Sequence, residues 1–371
     1  MNGAAYWSRS KAARSGSTSP DRGRLNATIA TLLVQDGLTS GLIYALLAVS
    51  IVLVFLVTRV LWVPAGDMVA FAALTMSLLR QGIAPNTVWL LAGLGLLAVM
   101  VQAWRCHRSG EWRAIRGVLL LALLPPVLGY VITRSGLAGA EAPVLVHALI
   151  TLLLVAPMAP LLYLTAFRPL TEASVLVKLI AAVAAHYMLV GFGLFFFGAE
   201  GLRTPPFISG RLDIGVTTLS WHLLLSLGVS LVMITALWVF FERTLWGKAL
   251  RATAINRFGA RLVGIRTERA GLLAFGIAGL IGALSGLMIG PIATIYYDSG
   301  FLIGLKAFIG VVCAAMASFP VAVLGALAVG VFEAFASFFA SALKEAIVFV
   351  LLVPILLWRS LTDHSLHGED D

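Results

Sequence analysis

Residues 242–270 read ERTLWGKALRATAINRFGARLVGIRTERA, and this stretch decides how the chain is built. It holds Arg243, Lys248, Arg251, Arg257, Arg261, Arg266 and Arg269, flanked by two apolar runs, 219–241 and 271–289. Each run is long enough to cross a bilayer, which takes about 20 apolar residues at a rise of about 1.5 Å each. A short loop this rich in Lys and Arg between two spans stays on the cytoplasmic side. It also offers a surface on which a cytoplasmic partner can act.

The rest of the chain agrees. Its 371 residues are 60% hydrophobic and 12% charged, where a soluble domain is about 25% charged. Mean hydropathy is +0.99. This composition implies an all-α polytopic membrane protein. The net charge of +9 sits in short loops, as topology demands, so nucleic acid is not an expected partner. Cys106 falls in a basic loop and Cys313 in an apolar run, so neither a disulfide nor a metal site is expected. Residues 1–28 read as a disordered basic cytoplasmic tail, 29–360 as one transmembrane domain, and 361–371 as a second cytoplasmic tail.

Apolar runs at 37–57, 88–104, 117–132, 142–167, 175–197, 217–241, 271–289, 304–317, 321–340 and 346–358 read as spans. The run 60–79 is interrupted by Pro64-Ala65-Gly66-Asp67. Putting the basic loops, including 105–116 and 168–178, on the inside makes this a broken or re-entrant segment. About ten crossings result, with both termini cytoplasmic. A Gly-spaced run at 37–46 precedes the break at Asp67, and another at 276–288 precedes Asp298 and a short span. Such pairing points to an inverted repeat, although Gly spacing is also common in membrane helices.

No phosphate-binding loop is present: Gly247-Lys248 lacks the upstream Gly and the following hydroxyl. No zinc-protease or nucleophile-elbow pattern appears either, so no catalytic residue and no cofactor is expected. Ionisable residues within spans are Asp67, His147, Lys178, His186, His222, Lys306, Glu333, Lys344 and Glu345. A charge at a helix centre costs at least about 2.5–3.5 kcal/mol, so such residues are candidates for function. Most lie near span ends, where snorkelling makes them cheap. Asp67, beside Pro64 and Gly66, is the best path candidate, because a broken helix exposes backbone groups to a polar solute. His186 reads as neutral and hydrogen-bonded to a neighbouring helix, and Glu333 as a partner for Lys306.

Several of these residues resemble the permease subunits of branched-chain amino acid ABC importers. Thr244-Leu-Trp-Gly247-Lys248-Ala249-Leu-Arg251-Ala252 is similar to the entry of that family's cytoplasmic coupling loop, and Ala260-Arg-Leu262-Val-Gly264-Ile265 to its end. Gly304-Leu-Lys306-Ala307-Phe308, Ser318-Phe-Pro320, Gly325, Gly330 and Glu333 stand in the family's order, and Ala166-Phe167-Arg168-Pro169-Leu170 resembles its Arg-Pro signature. The chain departs from the pattern at Trp62, Val63 and Ala65, and at Ile255-Asn256, where the family carries an acidic residue. Ala314-Ala315-Met316-Ala317 replaces a glycine-rich stretch, and 105–163 is longer than usual by about two spans.

The resemblance implies an importer subunit that moves branched-chain or related amino acids. ATP-binding subunits, a second permease subunit and a solute-binding protein would be its partners. The segment 251–264 would form a short coupling helix, with Arg251, Ala254, Asn256, Phe258, Gly259, Leu262 and Gly264 at the ATPase contact. Phe258 and Leu262, four apart on one helix face, would be its apolar anchors. Gly66, Asp67, Lys306, Ser318 and Glu333 would border the solute path. A stand-alone secondary transporter or channel, a permease of the same superfamily for a sugar or other small solute, and a non-transporting scaffold are the alternatives.

Overall fold

The computed structural model describes residues 20–109, 115–136, 138–214 and 217–357. It is almost wholly helical. In chain order the helices are α1 Pro20–Thr58, α2 Ala65–Arg80, α3 Thr87–Ser109, α4 Ile115–Arg134, α5 Val144–Val155 and α6 Met158–Leu162. A π-helical turn, Tyr163–Phe167, extends α6. After α7 (Val175–Phe197) a small hairpin pairs β1 (Arg211–Ile214) with β2 (Thr217–Ser220). Then come α8 Trp221–Arg243, α9 Leu245–Ile255, α10 Arg257–Leu262, α11 Thr267–Ile289, α12 Ser299–Cys313, α13 Phe319–Phe339 and α14 Lys344–Val350.

Among the described residues, eight helices are long and apolar enough to cross a membrane, counting 144–167 as one, and α12 is a shorter apolar helix. With α2 these make ten membrane-embedded helices, in keeping with the all-α polytopic class. Of the tail expected at 1–28, residues 1–19 lie outside the described residues and helical structure begins at Pro20, while the tail expected at 361–371 lies wholly outside them.

Two breaks organise the bundle. α1 ends at Thr58, where Arg59 takes a left-handed φ of 56°. The link to Pro64 runs inside the protein, with Trp62 1% exposed and edge-on to Phe275 and Phe167 at 4.7 and 5.8 Å between ring centres. α2 starts only at Ala65, beside Gly282 partway along α11, and is buried on all sides. Its far end meets the 203 loop, where the Ser77 hydroxyl donates to the Arg203 carbonyl. The second break follows α11. The chain passes Ile295, bridged to Leu202, and begins α12 at Ser299. α12 leads to the opposite end, where Phe319 stacks on Phe241 at 5.4 Å, next to the basic loop.

The N-terminal ends of α2 and α12 meet backbone to backbone. A Cβ built on Gly66 would lie 1.8 Å from the Gly300 carbonyl oxygen, so only glycine fits. α2 packs mainly on α11 and α12 on α1 and α13, while α1 and α11 pack on each other. Two long helices, each followed by a break and a short helix heading the other way, form the arrangement of an inverted repeat. Small residues permit it: Gly286 faces Val69 and Ala72, and Gly330 faces Gly41. α3 and α4 pack chiefly on one another.

Of the two readings of 60–79, broken or re-entrant, the geometry keeps the break near Pro64–Asp67 and not the return. The segment does not return to its own side; link and α2 together run from one end of the bundle to the other. Residues 32–40 share a cavity with 203–211, His222 and Pro291, while Leu53 and Val57 pack with Leu250 of the basic loop. The start of α1 therefore lies at the end opposite the loop.

Candidate functional site

The basic loop folds as two helices rather than the single coupling helix expected over 251–264. Thr244 caps α9, its hydroxyl accepting from the Gly247 amide at 2.9 Å. Asn256 is extended, with φ −145° and ψ 101°, and its Oδ1 accepts from the Gly259 amide at 2.9 Å, so it ends α9 and caps α10. At the exit Gly264 takes φ +83°, and the Ile265 amide returns to the Ala260 carbonyl at 2.9 Å. Asn256 is thus committed to holding the loop's shape.

Inward residues anchor the loop to the bundle. Leu250 is buried with Leu53, Val57, Ala270 and Ala274, and Thr253 and Ala260 are buried too. Arg251 donates to Glu242 at 2.9 Å and to the Phe241 carbonyl at 2.6 Å, which fixes it within its own chain. Ala254 and Gly259 are half-buried. The outward face is apolar: Phe258 is 70% and Leu262 74% exposed, with Ile255 and Val263 beside them. A cavity of about 350 Å³ opens next to this face, between Trp246 and Leu250 on α9 and Arg266, Arg269 and Leu273 at the start of α11. The loop thus presents an exposed apolar ridge within a strongly basic segment.

The path candidates fall into three places. Gly66 and Asp67 stand where α2 meets α12. Asp67 is 1% exposed and its carboxylate meets His186 Nδ1 of α7 at 2.8 and 3.0 Å. His186 stacks on Phe301 of α12, so the pair ties α7 to both short helices. The positive N-terminal end of α2 adds to the field that favours a carboxylate there. Lys306 and Glu333 form a second buried pair, joined by Tyr44, whose hydroxyl donates to Glu333 Oε2 at 2.7 Å. This network links α12, α13 and α1. Ser318 lies half-buried at the start of α13, at the loop end, and its side chain caps nothing. Among the described residues no hydrogen bond or ion pair joins these three places.

Tyr44 gave no signal in the sequence, being one aromatic residue in an apolar run. The cavity at the other end, about 1150 Å³, gave none either. It lies between the start of α1 and the 203–211 loop, lined by Gln35, Asp36, Thr39, Ser40, Arg203 and His222 among others. Its polar side chains come from segments far apart in sequence. Arg203 is held by the carbonyls of Pro291 and Ile292 at 3.1–3.2 Å, and His222 Nε2 by that of Met288 at 3.0 Å.

Residues 33–356 match the family described as branched-chain amino acid transport system / permease component. The high-affinity branched-chain amino acid transport system permease protein LivH of Salmonella typhimurium strain LT2 is 30% identical over 202 residues, 52% of this chain and 65% of that protein. LivH of Escherichia coli K12 is 29% identical over the same shares. BraD of Pseudomonas aeruginosa, another such permease protein, is 30% identical over 201 residues, 52% of this chain and 66% of its own. The chain thus spans just under two thirds of the length of each relative. PsaBC from Streptococcus pneumoniae in complex with Fab superposes over 88% of this chain with a TM-score of 0.35 and 11% identity, too distant to bear on the fold. With a family match running from the first span to the last described helix, the chain belongs to the permease components of branched-chain amino acid transport systems.

Proposed function

We propose that the chain is the membrane-spanning subunit of an ABC importer for branched-chain or related amino acids, driven by ATP hydrolysis in a separate subunit. The observation that carries this reading is the exposed apolar ridge of Ile255, Phe258, Leu262 and Val263 on the basic loop of a chain in this family. In water such a ridge is unfavourable by about 25 cal/mol per Å², which a groove on an ATP-binding subunit would recover. On this reading the loop faces the cytoplasm, across a bacterial inner membrane. The start of α1 and the cavity by Asp36 and Arg203 then face outward, toward a solute-binding protein. A second permease subunit, identical or related, encloses the path. Closure of the ATP-binding subunits pushes on α9 and α10, which reach α1 and α11 through Leu250, and the short helices meeting at Gly66 and Gly300 shift with them.

The test is co-purification of the ATP-binding subunit with the full chain carrying Phe258→Asp or Leu262→Asp. Both side chains are exposed, so the variants are expected to keep the parent's thermal midpoint and lose the partner. Undiminished co-purification would sink the coupling role.

A further inference from the structure

Four buried hydrogen-bonding atoms without a partner gather at the loop end of the bundle: Arg105 Nη1, Arg168 Nε, Arg257 Nε and the Tyr163 hydroxyl. They come from four places in the chain: the last turns of α3, the π-helical turn, the residue just after it, and the first residue of α10. Arg105, Arg168 and Arg257 all lie within electrostatic reach of the Tyr163 hydroxyl, and Tyr163 is 2% exposed. Lys178 on α7, 5% exposed, lies within reach of Arg257 and Arg59 in turn. Among the described residues two carboxylates stand nearby, and both are engaged: Glu268 by Arg168, and Glu172 by Arg261 at 3.2 Å.

Among the described residues, more positive charge gathers here than the nearby carboxylates neutralise, and part of it is removed from water. Arg168 already donates to Gln102 at 2.8 Å and pairs with Glu268, but a buried N–H or O–H left without a partner is costly, and the surplus positive charge favours an anion as that partner. The donors suggest its chemistry. Guanidinium N–H groups from three segments of the chain and one phenol suit a group with several oxygens, as a phosphate has. The π-helical turn, closed by the Arg168 amide on the Tyr163 carbonyl at 2.7 Å, places Tyr163 and Arg168 in this relation, and π turns recur at functional sites. The setting suggests the source. Trp104, next to Arg105, is 59% exposed, with the Arg108 guanidinium 4.5 Å above its ring, as in an anchor at the membrane interface. Basic pockets between helices at that level receive lipid headgroups.

We propose that Arg105, Tyr163, Arg168 and Arg257 form a binding site for a phosphate group, presented by an anionic phospholipid at the loop end of the bundle. The headgroup would neutralise the cluster and brace α10 against α3 and the π turn, so the lipid would set the pose of the docking ridge.

The experiment measures the thermal midpoint of the purified full chain in detergent with added phosphatidylglycerol, phosphatidylcholine or inorganic phosphate. Phosphatidylglycerol is expected to raise the midpoint above the phosphatidylcholine value. Arg105→Gln and Arg257→Gln should each raise the phosphatidylglycerol concentration needed by about tenfold, the worth of one charged hydrogen bond. Arg108→Gln should not. An Arg105- and Arg257-dependent shift with inorganic phosphate and none with the lipid keeps the site and assigns it to free phosphate. If either Gln variant fails to fold, Tyr163→Phe, which removes one oxygen, should still weaken the response several-fold. Equal midpoints with phosphatidylglycerol and phosphatidylcholine, and no phosphate effect, would overturn the proposal. So would a lipid response unchanged in these variants, including one in which they lose the ATP-binding subunit instead.

Discussion

Replacing Gly66 by Ala tests the meeting of the two short helices with a single methyl group. The new Cβ would sit 1.8 Å from the Gly300 carbonyl oxygen, about 1.6 Å short of the 3.4 Å at which ordinary contact begins. It would also meet the Gly300 carbonyl carbon at 2.7 Å and the Gly304 amide nitrogen at 2.9 Å. All three are backbone atoms, so no rotamer change relieves the clash. α2 is enclosed by α11, α12 and α5 and cannot back away without opening those contacts. Overpacking that side chains can absorb costs about 1–3 kcal/mol; here the backbone must move, so the cost should reach or exceed about 3 kcal/mol. Gly300→Ala, whose nearest clash is 2.7 Å, should be milder. Gly276→Ala is the control: nothing lies within 4 Å of its Cβ position, and a mid-helix Gly-to-Ala change gains up to about 1 kcal/mol. The assay is the thermal midpoint of the full chain in detergent, read by size-exclusion fluorescence. Gly66→Ala should fall several degrees below the parent or lose its monodisperse peak, while Gly276→Ala stays level or rises. A Gly66→Ala midpoint equal to the parent's would refute the backbone contact.

Two further outcomes follow from the core and the topology. Breaking the Asp67–His186 pair with His186→Ala should cost about 3–5 kcal/mol, because Asp67 is left buried and alone, whereas Asp67→Asn with His186→Gln should cost less than the two single changes summed; additive losses in a double-mutant cycle would mean the pair does not interact. Single cysteines at Asp36 and Phe258, at opposite ends of the bundle, should react with an impermeant thiol reagent from outside and from inside respectively, and labelling of both from one side would contradict the traverse of 60–80.

Much of this was legible in the residues because a bilayer imposes simple rules. Length and hydropathy located the spans, and the arginines of 242–270 located the loop. Pro64 and Gly66 marked the break, and the pairing of Lys306 with Glu333 followed from two charges that neither helix can carry alone. What failed had a common cause. The re-entrant reading of 60–79 came from counting basic loops, and charge counting cannot distinguish a segment that turns back from a link and a short helix that continue across. Only the contact of Gly66 with Gly300 and of Ser77 with Arg203 shows the direction. The single coupling helix over 251–264 ignored Asn256, whose capping side chain is a local signal for a new helix start. Tyr44 and the cluster around Tyr163 lay beyond sequence reasoning, because their partners are hundreds or scores of residues away and no spacing encodes them.

The account stands most directly on transport. The chain would be reconstituted in liposomes with its ATP-binding subunits, second permease subunit and solute-binding protein, and uptake of labelled leucine followed with and without ATP inside. Uptake that requires ATP and vanishes when the ATP-binding subunits are omitted is the predicted result. Leucine flux through the chain alone, indifferent to ATP, would contradict it.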